Sequence, residues 1–312
     1  MAKKRCVVSC DFGGSHFTCA GCDPNGIILG KPNRIDIDAS QPAEVITQQM
    51  ATAIKQVMAR LQNLDFTVIG VGIGSPGPMD MERGIILDTP NLVTLQNWHL
   101  AEKLSQALDG ILVIINNDAN VMIAGEAFAG LGKDCSIVYG VTLGTGFGHG
   151  LIINGQIISG ANGMAMEHAI TPANINGSIT IEDLCSGRAI VALYQELKKG
   201  NDPDLSTALE IAQTAKNQNV PGNQIATAVY RQYGENLAYC VAPMINSLDP
   251  HCFVLCGSIT KDFDLFGITM QEIWRQKNWV NNRTLKNMIV GPGKLGENAA
   301  IIGAASLIWN RQ

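Results

Sequence analysis

"SIVYGVTLGTGFGHGLIINGQII", residues 136–158, runs as strand, glycine-rich turn, strand, Asn-Gly turn and strand. β-Branched residues fill the first run, and Asn154-Gly155 between two apolar runs is a strong hairpin signal. The same order stands near the start in "RCVVSCDFGGSHFTCAGCDPNGIIL", residues 5–29, where Gly13-Gly14 makes the first turn and "DPNG" closes the second hairpin. A unit repeated at a spacing of about 130 residues points to two copies of one supersecondary pattern, each offering a glycine turn. With 312 residues and 46% hydrophobic composition, two domains are favoured over one.

Between the two units, Val45, Ile46, Met50, Ile54, Val57 and Leu61 follow helical spacing from Pro42 to Leu61. "FTVIGVGIG" (66–74), "GIILDT" (84–89) and "ILVII" (111–115) are expected strands; "LAEKLSQAL" (100–108) and "NVMIAGEAFAG" (120–130) are expected helices. Helical segments dominate from Ile179 to Asn246, "CFVLCG" (252–257) is a strand, and an apolar helix closes the chain near Glu297–Trp309. Three strands precede the first long helix. The fold class is therefore mixed α/β with an antiparallel extension, not a plain doubly wound sheet.

Net charge is −5 with both signs interspersed, and no basic patch with interleaved aromatics appears, which argues against nucleic acid as a partner. The apolar runs fall well below the roughly 18 residues of a membrane span, and the basic head "MAKKR" is not followed by a signal-peptide core. Nine scattered cysteines suit a reducing cytoplasm. Cys19 and Cys22 form one C-x-x-C near His16, without a second pair and without a following helix, so two incidental thiols in a strand and its turn are expected.

"GIGSPG" (72–77) fits G-x-G-x-x-G, but "PGPMD" follows, and its prolines do not open the helix a dinucleotide site needs. "AFAGLGKD" lacks the leading glycine of a P-loop and ends in Asp134, where a Ser or Thr would hold magnesium. The repeated turns are better phosphate sites. Gly13, Gly14 and Ser15 in one, and Gly144, Thr145 and Gly146 in the other, can aim backbone N–H groups at an anion. A carboxylate beside such a nest repels phosphate unless a divalent cation intervenes, so Asp11 implies Mg2+. In "ILVIINNDAN" (111–120) a buried strand ends in Asp118 flanked by uncharged amides. As a residue pattern this fits an N-cap for a helix starting near Asn120.

Taken together these segments resemble the ROK sugar kinases of the actin-like ATPase superfamily. "DFGGSH" is similar to the family's first phosphate motif, "GVGIGSPGPMD" to its proline–glycine signature, and "DTPNL" to its sugar loop. "NNDAN" resembles the catalytic motif, with "GEAFAGLGK" the helix after it. "LGTGFGHGLIINGQIISGANG" resembles the second phosphate motif, while "LDPHCFVLCGSI" and "KLGENAAIIGAA" look like the adenosine-side segments. The resemblance implies two actin-like (ribonuclease H-like) domains of mixed sheets flanked by helices, with an active-site cleft between them that takes ATP, Mg2+ and a hexose or N-acyl hexosamine. It implies Asp118 as general base toward a sugar hydroxyl, usually O6. It further implies Gly77, Asn91, Asn117, Glu167 and Glu182 at the sugar. On the phosphates it implies Asp11, Gly13, Gly14, Ser15, Thr142, Gly144, Thr145, Gly146, Gly257 and Ser258. Domains at 1–118, with helix 298–312 packed onto it, and at 119–297 are expected, as is a homodimer.

The chain departs from the family pattern in "GANGMAMEHAITPANINGSITIEDLCSG". Glu167 and Glu182 stand at the two glutamate positions, but the family's zinc-holding cysteine cluster is missing between them, so no zinc is expected. Ile170 occupies the position of a sugar-facing histidine, and His168, two residues early, is expected to be a loop or surface residue. Met166 and Ala169 replace usual glycines, and His149 stands where the family prefers glycine. Two other functions compete. A DNA-binding repressor of the same family is disfavoured, because the phosphate motif begins at Asp11 and leaves little room for a helix-turn-helix ahead of it. A sugar sensor without turnover is the alternative that the rebuilt loop keeps open.

Overall fold

The computed structural model describes residues 3–311 apart from Asp88, Pro90 and Asn91. The chain forms two compact units: 1–134 with 150–165 and 294–312, and 135–149 with 166–293. The sequence-based division at 118/119 cuts differently, because the helix after Asn117 groups with the first unit.

In the first unit, β1 (Lys4–Phe12), β2 (His16–Cys22) and β3 (Ile28–Asp36) are joined by the glycine turn and the "DPNG" turn. Then come α1 (Ala43–Asn63), β4 (Phe66–Ser75), a small hairpin of β5 (Met79–Asp80) and β6 (Ile85–Ile86), α2 (Leu100–Ala107), β7 (Val113–Asn117) and α3 (Asp118–Ala129). The sheet order is β3-β2-β1-β4-β7. β2 is antiparallel to both neighbours, while β1/β4 and β4/β7 are parallel. Pro32 sits in β3, which forms an edge where a missing N–H is tolerated. Among the described residues of "GIILDT", Ile85–Ile86 form strand.

Of the helical face read from the sequence, Ile46, Met50, Ile54, Val57 and Leu61 of α1 lie in the core beneath the sheet, while Val45, in the first turn, is exposed. Each such side chain contributes about 1.5–3 kcal/mol on leaving water. Alternation along the strands divides the thiols. Cys6, Cys10 and Cys19 face that core, whereas Val7 and Cys22 belong to a second cluster with Ile114 and, from the terminal helix, Ala305 and Ile308. Cys19 and Cys22 thus point to opposite faces of β2, so they cannot grip one ion or form a redox pair.

The terminal helix α10 (Ala299–Trp309) belongs to the first unit and packs on β1, β4 and α3. Its approach is close because it lacks side chains where it crosses α3. A Cβ on Gly303 would stand 1.7 Å from the Val121 carbonyl oxygen. Glu126 of α3 is fully buried. Its Oε2 accepts from the Leu131 N–H (2.8 Å) and the Lys294 N–H (3.0 Å), and its Oε1 accepts from the Leu295 N–H (2.8 Å).

The second unit opens with β8 (Ile137–Leu143) and the first residues of β9 (Phe147–Ile153), whose end, with its antiparallel partner β10 (Gln156–Ile157), is counted in the first unit. Helices α4 (Ile181–Cys185), α5 (Gly187–Leu197), α6 (Ala208–Lys216) and α7 (Asn223–Leu248) fill the span read as helical. β11 (Cys252–Cys256), α8 (Phe263–Lys277), α9 (Asn282–Asn287) and β12 (Ile289–Pro292) follow. The sheet order is β10-β9-β8-β11-β12, with β8/β11 and β11/β12 parallel. A strand–glycine turn–strand unit thus feeds a sheet extended by parallel strands in both units, as the repeat implies. No described helix is long and apolar enough to cross a membrane.

Candidate active site

The first glycine turn hangs between β1 and β2, where Asp11 lies opposite Thr18 on one side and Gly74 on the other. Gly13 N–H donates to the His16 carbonyl (3.0 Å), Gly14 has φ +81°, and the Ser15 hydroxyl meets His16 Nδ1 at 3.0 Å. Burial raises the Asp11 carboxyl above its ordinary value, while the charges of His16 and Arg34 pull it back. A partly buried carboxylate with no ion pair among the described residues suits Mg2+, which keeps several waters and one or two carboxylates beside phosphate oxygens. His16 is the residue at this turn that the sequence left unassigned. It buttresses the loop from below Gly13.

At the end of β7 the helix begins earlier than the sequence suggests. Helix α3 starts at Asp118, not near Asn120, and its N-cap is Asn117. The Asn117 Oδ1 accepts from Ala119 N–H (3.0 Å) and Asn120 N–H (3.4 Å). Asp118 therefore occupies the first helical position, with its Oδ1 accepting from Ala119 N–H at 2.7 Å. The expected capping role passes to the neighbour, and the positive end of a helix lies under the Asp118 carboxylate. Gly77 belongs to the same spot: a Cβ there would stand 2.9 Å from Asn117 Nδ2. Asn91 lies outside the described residues.

In the second unit the "LGTGFG" turn is closed by Gly144 N–H donating to the Gly146 carbonyl (3.1 Å). Two other segments brace it. Gly187 N–H donates to the Gly144 carbonyl (2.7 Å), Thr142 pairs with Cys256 across β8/β11, and Gly257, at φ +95°, sits where a Cβ would stand 2.3 Å from the Leu143 carbonyl oxygen. Only glycine combines that φ with that approach. Ser258 then opens a short 3-10 turn. The second glycine turn, Thr142, Gly257 and Ser258 thus form one neighbourhood.

Glu182 joins it. Its Oε2 accepts from Phe147 N–H (3.0 Å), and its Oε1 pairs with Arg188 Nη2 at 2.5 Å. The carboxylate expected from the sequence at the sugar thus also braces the second glycine turn, through Phe147, thirty-five positions earlier.

Glu167 is solvent-facing as a residue, yet desolvation of its carboxyl raises it above the usual range. Met166 has φ +70°, a conformation natural to the glycine it replaces. Met166→Gly should relieve that strain and leave the protein unchanged or up to about 1 kcal/mol more stable, as read by urea denaturation. Ile170 is exposed.

His168 is a loop residue, but not a surface one. Its ring packs edge-on against His149 with centroids 5.1 Å apart. His149 is buried, its Nδ1 lies 2.8 Å from the Tyr139 hydroxyl, and its Nε2 has no hydrogen-bond partner among the described residues. Burial first, then His168, lowers His149 to about 3. Since its folded value lies below the unfolded one, the stability tied to neutral His149 is full above about pH 6.5 and drains away as pH falls toward 3. Unfolding free energy measured from pH 7 to 4 should drop on the order of a few kcal/mol more in the wild type than in His149→Gln.

Among the described residues, no group of three or more His, Cys, Asp or Glu is arranged to hold a metal ion.

Two mixed sheets, each opening with a strand–glycine turn–strand unit and one ending in a carboxylate at a helix start, define an actin-like ATPase fold. The chain belongs to the ROK family, whose model matches residues 7–311. It is 27% identical to a glucokinase of Thermotoga maritima, over 98% of each chain. It is 29% identical to an N-acetyl-D-glucosamine kinase of Histophilus somni, over 77% of this chain and 80% of that one. The crystal structure of a ROK family glucokinase from Streptomyces griseus in complex with glucose and AMPPNP matches with a TM-score of 0.74 at 25% identity, covering 97% of this chain and 98% of that one.

Proposed function

We propose that this protein is an ATP-dependent sugar kinase that transfers the γ-phosphate to a hydroxyl, O6, of a hexose or N-acyl hexosamine. The observation that carries the reading is at the start of α3: Asn117 caps the helix, and Asp118 stands at its first position. A carboxylate set at a helix start on a rigid strand end suits a general base that takes the hydroxyl proton as the oxygen attacks phosphorus. Asp11 holds Mg2+, which neutralises phosphate charge when bound. The N–H groups of Gly13, Gly14 and Ser15, with those of Gly144, Thr145 and Gly146, grip phosphate oxygens. Gly77, Asn91, Asn117 and Glu167 recognise the sugar, and Glu182 contributes first by holding the second turn in shape. Thr142, Gly257 and Ser258 line the nucleotide side. The kinship to a glucokinase and an N-acetylglucosamine kinase supports the sugar class.

A coupled ADP-release assay across hexoses and their N-acetyl amino forms tests this directly. Turnover with one of them, dependent on Mg2+, is expected; no ADP release with any of the panel would overturn the reading. The same reading includes a cytoplasmic homodimer, checked by sedimentation of the purified chain.

A further inference from the structure

Within the first unit, a half-enclosed cavity of about 570 Å³ runs along the free edge of β7. Its size falls in the range of small-molecule sites. None of Asp11, Gly77, Asn117, Asp118, Glu167 or Glu182 lines it. Ile114, Ile115 and Asn116 of β7 form one wall, and the β5–β6 turn brings Asp80 and Glu82 to another.

The floor is fixed by two reciprocal bonds between the end of α10 and the β9–β10 turn. Gln156 Nε2 donates to the Asn310 carbonyl (3.0 Å), and Asn310 Nδ2 donates to the Gly155 carbonyl (2.5 Å). Neither side-chain amide oxygen has a hydrogen bond among the described residues. Further groups around the cavity are also unspent: no hydrogen bond of the Glu82 carboxylate, the Ser159 hydroxyl or the Asn162 amide occurs among the described residues. Asn116, nine-tenths buried, uses its Oδ1 for Asn117 N–H (2.8 Å) and Asn120 Nδ2 (3.3 Å), leaving its Nδ2 donor unused.

The chemistry selects the ligand. Amides and a hydroxyl supply donors and acceptors together, two carboxylates accept from hydroxyls, and aliphatic Ile114, Leu87 and Leu307 can cover C–H faces. Asp80 and Glu82 against Arg311 leave the lining acidic, which disfavours a phosphate. No aromatic side chain lines the cavity to stack on a base. A nucleotide is therefore a poor fit and a neutral polyol a good one. We propose that this cavity is a second sugar site, separate from the residues around Asp118. Through Asn116, whose Oδ1 holds the Asn117 N–H, its occupant contacts the turn that carries the base.

Equilibrium dialysis of the full chain with radiolabelled D-glucose or N-acetylglucosamine, without ATP, tests it. Two sugars per chain are expected for the wild type and for Asp118→Asn. One fewer than the wild type is expected for Glu82→Gln, with turnover retained, and for Asn162→Ala, both residues being exposed. The same number of sugars per chain in the wild type and in both cavity variants overturns the proposal. Displacement of the second sugar by adenosine would assign the cavity to nucleosides instead and equally overturn it. Because the count needs no turnover, the cavity and the kinase reading fail independently: an inactive protein that loses one sugar in Glu82→Gln keeps the cavity and sinks the kinase.

Discussion

Asp118→Asn should lower kcat by about 10²–10⁴-fold while sugar affinity stays within a few-fold, because a positioned base contributes that much and an amide cannot take the proton. The substitution is unusually clean at this position. The Oδ1 that accepts from Ala119 N–H is kept in asparagine, and the helix start depends on the neighbouring Asn117, not on residue 118. Folding stability should therefore match the wild type. Asn117→Ala provides the contrast: it strips acceptors from the Ala119 and Asn120 N–H groups and should cost about 1 kcal/mol in stability. The pair separates chemistry from capping. If Asp118→Asn keeps most of its rate, the proton goes elsewhere; if it unfolds instead, the carboxylate is structural. Isothermal titration with the sugar, beside the rate measurement, reads both outcomes.

Much of this was legible because hairpin chemistry is local. Gly13-Gly14, Asn154-Gly155 and the alternating strands around them carry their own signals, and the repeat fixes their order. The apolar spacing of α1 carries its buried face in the same way. What escaped depends on partners distant in the chain. Glu182 looks like a free loop carboxylate until Phe147 N–H, thirty-five positions earlier, is folded against it. The start of α3 was set two residues late because asparagine and aspartate are nearly equal N-caps, and only the three-dimensional turn decides between Asn117 and Asp118. His168 reads from the sequence only as a loop or surface residue, since nothing in its own neighbourhood announces the ring of His149. Helix α9, capped by the Asn281 side chain, spans only six residues, and α8 has no side-chain N-cap, so tertiary packing rather than a local signal supplies them.

Glu126→Gln should destabilise the protein by about 2–4 kcal/mol, a large effect for the exchange of one oxygen for NH2. The carboxylate is wholly buried and no cation among the described residues pairs with it; main-chain N–H groups of Leu131, Lys294 and Leu295 satisfy it instead. In glutamine one of those two oxygens becomes a donor facing a donor. If Oε1 is the one replaced, the Leu295 N–H is orphaned; if Oε2, both Leu131 and Lys294 lose their acceptor. Hydrogen bonds to a charged group are worth more than neutral ones, and a buried unmatched donor carries its full desolvation cost. The loss should appear as a lower urea midpoint with an unchanged slope, since the surface exposed on unfolding is the same. Glu126→Leu should be worse still, with all three N–H groups stranded. A penalty below about 1 kcal/mol for the glutamine variant would mean that water or a backbone shift replaces the lost acceptor, and the tie between α3 and the segment leading into α10 would not depend on this carboxylate.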